Sequence, residues 1–394
     1  MTSGSADVVI VGGAAMGSSL AYHLLSGGFT GRVVVVERDA SYARSASALS
    51  AASIRRQFST RVNIRASAYG VAFLREAGDR LESRGERPDL GFREGGYLTL
   101  ATGSGAEMLA RNHAAQTAEG ADILLMDAGG LNARFPWLET GDLAAGCWGR
   151  SGEGWFDGWG LLQALRRKAR ALGAEYLDGE VAGFEREGAR LTAVRLAEGT
   201  TIACGAVANC AGAAGGRRVA EMAGVSIPVR AKKRCVFAFS SKERPGGFPL
   251  LVDTSGVWVR PEGEGFICGL SPDDLNDEDH ADDFDVDWPL FEERIWPALS
   301  HRVPAFEAIR PGRAWAGHYD MNLFDANAIV GSAGDPDNLY LCNGFSGHGL
   351  QQAPAVGRGL AELILHGRFT TLDLSDFAFS RIEAGRRLVE RNVI

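Results

Sequence analysis

Gly12-Gly13-Ala14-Ala15-Met16-Gly17 has the spacing G-x-A-x-x-G, and Glu37 stands twenty residues beyond its last glycine. In a turn of this kind the first glycine permits a tight bend. The middle one lets the backbone approach a pyrophosphate, and the last lets the helix pack closely on the preceding strand. Ala14 occupies the middle position, so a methyl group takes some of that clearance. A helix opening at Ala15 would turn free N–H groups toward phosphate, and Glu37 is spaced to accept from ribose hydroxyls. A carboxylate there disfavours a 2′-phosphate. The chemistry is dinucleotide binding, with FAD or NAD preferred over NADP. A second glycine-rich turn, Gly344-Phe345-Ser346-Gly347-His348-Gly349, precedes another apolar helix. The N–H groups of such a helix suit the N1/C2=O edge of an isoalloxazine, where negative charge builds on reduction. A simple NAD dehydrogenase needs no element of this kind, so FAD is the expected cofactor.

These turns require strands and helices to hold them. Asp7-Val8-Val9-Ile10-Val11 and Arg32-Val33-Val34-Val35-Val36-Glu37 are continuous apolar runs, the pattern of parallel strands covered on both faces. Between them Met16, Leu20, Ala21, Leu24 and Leu25 fall at helical spacing, and Gly27-Gly28 ends the helix. The unit is βαβ. Ala206-Val207-Ala208-Asn209-Cys210 resumes the sheet and runs into a small-residue turn, Ala211 to Gly216. Asn338 to Cys342 reads as a further strand, and residues 350–366 as a helix. Gly96 to Leu100, Arg234 to Phe239 and Val257 to Arg260 read as strands of a second, mainly antiparallel sheet.

A chain of 394 residues is too long for one ordinary core. No apolar run is long enough to span a bilayer, and only six residues precede the first apolar run, which favours the cytoplasm. The six cysteines are scattered without metal-ligand spacing, so no metal is expected. Residues 271–289 hold eight Asp and one Glu with no Lys or Arg, against a formal net charge of −8 for the chain. That run reads as a solvated loop, and nothing supports nucleic acid binding.

The first turn, the strand ending Asn209-Cys210-Ala211-Gly212 and the closing turn with its helix resemble, in the same order, the glycine/D-amino-acid oxidase superfamily of flavoproteins. The likeness covers essentially the whole chain. Within the superfamily, residues 47–64 and 285–394 look most like the FAD-dependent oxidoreductase domain-containing complex I assembly factors and their bacterial relatives. Sarcosine oxidases are similar at greater distance. The resemblance implies an α/β chain, α+β overall, with a glutathione-reductase-type FAD-binding Rossmann domain interrupted by a substrate domain whose mainly antiparallel sheet covers the flavin. The division it implies is 1–80, 152–222 and 318–394 for FAD, and 81–151 and 223–317 for substrate.

Residue by residue, Gly12, Ala14, Ala15, Met16, Gly17, Glu37 and Arg38 match the ADP-binding set. Arg44, Ser45, Ala46 and Ser47 match the segment beside pyrophosphate and flavin, and Val181 a backbone contact to adenine. Ala211, Gly212, Gly317 and Gly344 fall in cofactor-facing turns. Gly347, His348, Gly349, Leu350 and Gln351 match contacts to the ring. Gly317 stands where monomeric sarcosine oxidases carry the cysteine that links FAD, which implies noncovalent FAD. Ile267 stands in the place of their oxygen-promoting lysine, which argues against fast oxidase chemistry. Gln351 replaces a carboxylate-binding lysine, and Tyr319 an arginine of glycine and D-amino-acid oxidases while matching an active-site tyrosine of sarcosine oxidases.

The implied reaction is oxidation of the C–N bond of an amino acid or secondary amine, by hydride transfer to flavin N5, giving an imine that hydrolyses. Oxygen or a protein would take the electrons. Positioning dominates such chemistry. Arg55-Arg56 lies in a segment resembling an arginine-bearing, flavin-adjacent one, and a guanidinium matches a carboxylate with two prongs. One of the two is the expected anchor. Tyr319, His348 and Gln351 complete the candidate pocket; His348 reads as a turn residue rather than a general base. Trp258 and Arg260 either line the pocket or pack within the sheet. The alternative is a flavoprotein assembly or scaffold factor with little turnover.

Overall fold

The computed structural model describes residues 2–272, 277–280 and 282–393. Val8 to Val11 and Val33 to Val36 are buried, as strands covered on both faces must be. They lie in Thr2–Val11 and Val33–Glu37, paired in parallel from Val8↔Val33 to Val11↔Val36. Thr201–Asn209 pairs in parallel with the other edge of the first strand, and Leu339–Asn343 joins beyond it. Glu175–Asp178 pairs in parallel with Val33–Glu37, while Ile329–Ser332 closes the far edge antiparallel. The hairpin of Val181–Glu187 and Arg190–Leu196 is appended to Thr201–Asn209.

The second sheet runs, in spatial order, through Ile309–Asn322, Val229–Ser241, Gly265–Gly269, Trp258–Glu262, Leu250–Val252, Tyr97–Ala101, Ala145–Gly149 and Ile123–Asp127. All its pairings are antiparallel except that of Leu250–Val252 with Tyr97–Ala101. The chain therefore leaves the first sheet twice for the second and returns each time. This is the mixed fold expected of an interrupted Rossmann-type domain. The expected boundary between residues 317 and 318 falls inside the strand Ile309–Asn322, which pairs along its length with Val229–Ser241.

Two helices pack across one face of the first sheet. Ala15–Ser26 and Gly349–His366 approach closely enough for Ser19 Oγ to donate to the Ala353 carbonyl at 2.7 Å, and a Cβ at Gly357 would stand 2.7 Å from Ser19 Cβ. Both helices begin beside a cavity that lies between the two sheets, so their packing brings the first and last glycine turns together.

Two expectations are corrected. The stretch Ala211 to Gly216 is not a free turn: the helix Gly212–Met222 begins within it. Its glycines disguise it, but Asn209 holds its start, donating to the Gly216 carbonyl at 2.7 Å and accepting from Ala211 N–H at 3.3 Å. The acidic run is not simply solvated either. Asp277 pairs with Arg234, Asp279 with Arg230 and Lys232, and Asp283 with Lys233. The cations belong to one strand, and His280 N–H donates to the Ala231 carbonyl at 2.8 Å, so this segment docks on the strand end that Gly265–Gly269 leaves uncovered. Asp273, Asp274 and the rest of 273–276 lie outside the described residues. Five of the six cysteines are buried, Cys204 partly so, and no metal-binding cluster occurs among the described residues.

Candidate cofactor and substrate site

A cavity of about 560 Å³ lies between the two sheets. At the first turn Gly12 has φ +94°, and a Cβ there would stand 2.8 Å from the Cys210 carbonyl carbon and run into its oxygen. Glycine is thus required on both counts. Gly12, Ala14, Ala15 and Met16 line the cavity. Gly17 does not; its missing side chain lets the helix sit on the Gly12 carbonyl. Glu37, Arg38 and Val181 line the same end. Glu37 is held by Gly13 N–H at 2.8 Å and Asp39 N–H at 3.0 Å, which fixes its carboxylate at the strand end.

Arg44, Ser45, Ala46 and Ser47 form the next stretch of wall, and Ser47 Oγ accepts from Ala15 N–H at 3.3 Å, directly at the helix N-terminus. Arg44 lies over the Phe284 ring at 5.2 Å, with no ion pair among the described residues. Ala211 and Gly212 bring the second helix N-terminus to the cavity. Two helix N-termini, a free guanidinium and a fixed carboxylate fit a dinucleotide with its pyrophosphate and ribose.

At the other end, Gly317, Tyr319, Gly347, His348, Gly349, Leu350 and Gln351 line the wall. Gly347 has φ +87°, and a Cβ there would come within 2.7 Å of Tyr319 Cζ, so the turn lies flat under that ring. Gly344, with φ +74°, shapes the turn from outside the lining. Arg55 also lines this end and is 3% exposed. It donates to the carbonyls of Gln57 and Asn392, lies 3.3 Å from His348 Nε2, and stacks 4.2 Å over Phe58. Burial, and then the Arg55 charge, push the His348 imidazole down to about 3, so it is neutral. With Arg55 donating to Nε2, the ring proton stands on Nδ1. Gln351 Oε1 accepts from Arg55 N–H and from Ser67 Oγ.

Arg56 is not with its neighbour. Its guanidinium lies outside the lining and donates to the carbonyls of Glu119 and Gly120. Ile267 is buried behind the lining, beside Val236 and Trp258. Trp258 lines the cavity; Arg260 is turned away to the Ala51 carbonyl and Glu262. Three residues escaped sequence reasoning. Arg234 lines the cavity in bidentate contact with Asp277 at 2.7 and 3.0 Å; the visible signal was a cation opening an apolar strand. Tyr97 lines it through a hydroxyl bonded to Ser53 Oγ at 3.1 Å. Glu153, 1% exposed, lies behind it, accepting from Gln57 Nε2 at 2.9 Å and from Arg56 N–H; burial pushes its carboxyl up to about 7. Nothing in the sequence around Glu153 marks it.

A family profile described as "FAD dependent oxidoreductase" (DAO) matches residues 7–363. The chain belongs to the DAO family of FAD-dependent oxidoreductases. FAD is the cofactor of this family, and the lining of the cavity fits it. Among DAO-family relatives, FAD-dependent oxidoreductase domain-containing protein 1 of Xenopus laevis is 41% identical over 427 residues, taking in 99% of this chain and 85% of that protein. Mitochondrial sarcosine dehydrogenase of Mus musculus is 25% identical over 98% of this chain and 43% of its own length. The crystal structure of L-proline dehydrogenase from P. horikoshii superposes with a TM-score of 0.86 at 25% identity, covering 98% of this chain and all of that one. No helix among the described residues is long and apolar enough to cross a membrane.

Proposed function

We propose that this DAO-family chain oxidises the C–N bond of an amino acid or a secondary amine bearing a carboxylate. One observation carries the reading. The Arg55 guanidinium is buried on the cavity wall, and its partners are two carbonyls, a neutral imidazole and a phenyl ring. No carboxylate pairs with it among the described residues. A buried charge left without a counter-ion costs several kcal/mol, so the site is built for an anion, and guanidinium geometry favours a carboxylate.

The chain's own groups position rather than ionise. Gln351 fixes the Arg55 main chain, neutral His348 holds the guanidinium without competing for the anion, and Gly347 lets Tyr319 close over the turn. FAD, when bound, supplies the two-electron acceptor; oxygen or a protein then takes the electrons from it. The names of the sarcosine and L-proline dehydrogenases point to the same substrate class. The test is anaerobic mixing of the yellow protein with sarcosine, dimethylglycine, iminodiacetate, proline and D- and L-amino acids. Loss of visible flavin absorbance with one of them is expected. Unchanged absorbance across the panel would overturn the reading in favour of a scaffold role, and readmitted air would tell an oxidase from a dehydrogenase.

A further inference from the structure

The second sheet presents a row of side chains to the cavity whose chemistry differs from that of the Arg55 side. Val236 pairs with Gly269, and Gly269 with Trp258, across three adjacent strands. A Cβ at Gly269 would stand 2.8 Å from Trp258 Cζ2, so the indole lies across the place where that side chain would be, toward Val236. In the next strands Leu250 pairs with Tyr97. Val236, Leu250, Trp258 and Tyr97 all line the cavity and are all buried, and Leu270 joins them. The one hydroxyl in the row, that of Tyr97, is taken by Ser53. Gln57 Nε2 donates to the Tyr97 carbonyl at 3.1 Å, which ties this wall to the segment carrying Arg55.

Such a wall holds hydrocarbon and offers nothing to a second charged group. Arg234, which lines the cavity beside it, is already neutralised in two-pronged contact by Asp277, and Arg260, two residues along the strand from Trp258, donates to the Ala51 carbonyl and pairs with Glu262. We propose that Trp258, with Val236 and Leu250, sets specificity by receiving a bulky apolar or ring substituent of the substrate, so that the site takes apolar amino acids in preference to glycine-sized or dicarboxylic ones. This rests on Arg55 as the carboxylate anchor.

The experiment uses inert carboxylates, so it requires no turnover. The FAD-loaded protein is titrated with acetate, benzoate and succinate, and binding is read from the shift in the visible flavin spectrum. A hydrophobic pocket discriminates by about tenfold or more for each methylene-sized group. Benzoate should therefore bind at least about tenfold tighter than acetate, and succinate no tighter than acetate. Trp258→Ala should bring benzoate to within about threefold of acetate, and Trp258→Phe should restore most of the preference. Equal affinity of the parent protein for all three would overturn this inference while leaving the Arg55 reading standing. No spectral response to any carboxylate would remove both. Should Trp258→Ala lose its FAD, Leu250→Ala is the second variant, and an unchanged benzoate preference in an FAD-retaining variant would equally overturn the proposal.

Discussion

Gln351 Oε1 accepts the Arg55 backbone N–H at 2.9 Å, across 296 positions of sequence. The first turn of the last long helix thereby sets the main chain of Arg55, whose guanidinium has no carboxylate partner among the described residues. Replacing Gln351 with Leu, of similar size, leaves the Arg55 N–H and Ser67 hydroxyl without this acceptor. Each orphaned buried group costs about 1–3 kcal/mol. Denaturant unfolding should show a loss of about 2–6 kcal/mol for the two groups together, with weaker carboxylate binding; unchanged values for both would mean the bond positions nothing.

Arg55 and Arg56 separate cleanly. Arg55→Ala should raise the apparent KM for a carboxylate substrate by about 1.5–3 kcal/mol of lost charge-assisted bonding. Arg56→Ala, whose guanidinium serves the Glu119 and Gly120 carbonyls, should leave KM unchanged. Steady-state kinetics on both variants decides, and equal losses would contradict the assignment.

Gly12→Val should abolish FAD retention, because both the positive φ and the Cys210 carbonyl exclude a side chain. Visible absorbance of the purified variant reports this directly. A normal flavin content would show that the pyrophosphate lies elsewhere.

Carboxylate affinity should fall as pH rises through about 7. Burial raises the Glu153 carboxyl to that value, and the Arg55 charge is among the influences that lower it. Below the inflection Glu153 is neutral and Arg55 acts unopposed; above it the new negative charge weakens attraction for an anion. A spectral titration of benzoate across about pH 6 to 8 should show the inflection. Glu153→Gln should abolish it.

Acid stability offers a separate check. Burial lowers the imidazoles of both His23 and His348 to about 3, so unfolding takes up two protons, and their contribution is lost as pH falls from about 6.5 toward 3. Burial raises Glu153 to about 7 and Asp320 to about 6, which acts in the opposite sense as pH falls toward 4.5. These opposing shifts should keep the parent's pH response shallow. His23→Gln should gain, relative to the parent, about 1.4 kcal/mol on going from about pH 7.5 to 5.5. Chemical denaturation at the two pH values measures it; parallel curves would mean that His23 titrates alike in the folded and unfolded chain.

The parts of the fold written in short-range pattern were legible. Val8 to Val11 and Val33 to Val36 showed a buried parallel pair, and the glycine spacing located the cavity end that Gly12 and Ala14 to Met16 line. What could not be read depends on long-range pairing. Arg55 and Arg56 are chemically identical and adjacent, and only the position of Gln351 and the 119–120 carbonyls tells them apart. The helix at Gly212 was hidden by glycines of low helix propensity, of which Gly216 allows close packing on Asn343. The acidic run looked solvated because its cations lie some 45 residues earlier, as in Lys232 with the Asp277 carbonyl.

The strand Leu339–Asn343 is the last to join the parallel sheet, and its pairing with Thr201–Asn209 must wait for most of the chain to be made. The turn, helix and carbonyls that complete the Tyr319 end of the cavity follow it in sequence. A chain cut ahead of Phe345 would keep the Gly12 turn yet lack Phe345, Gly347, His348, Gly349, Leu350 and Gln351 of the cavity wall. The two ends of the cavity are thus built from segments far apart in sequence, and only a chain that holds both can enclose the whole space.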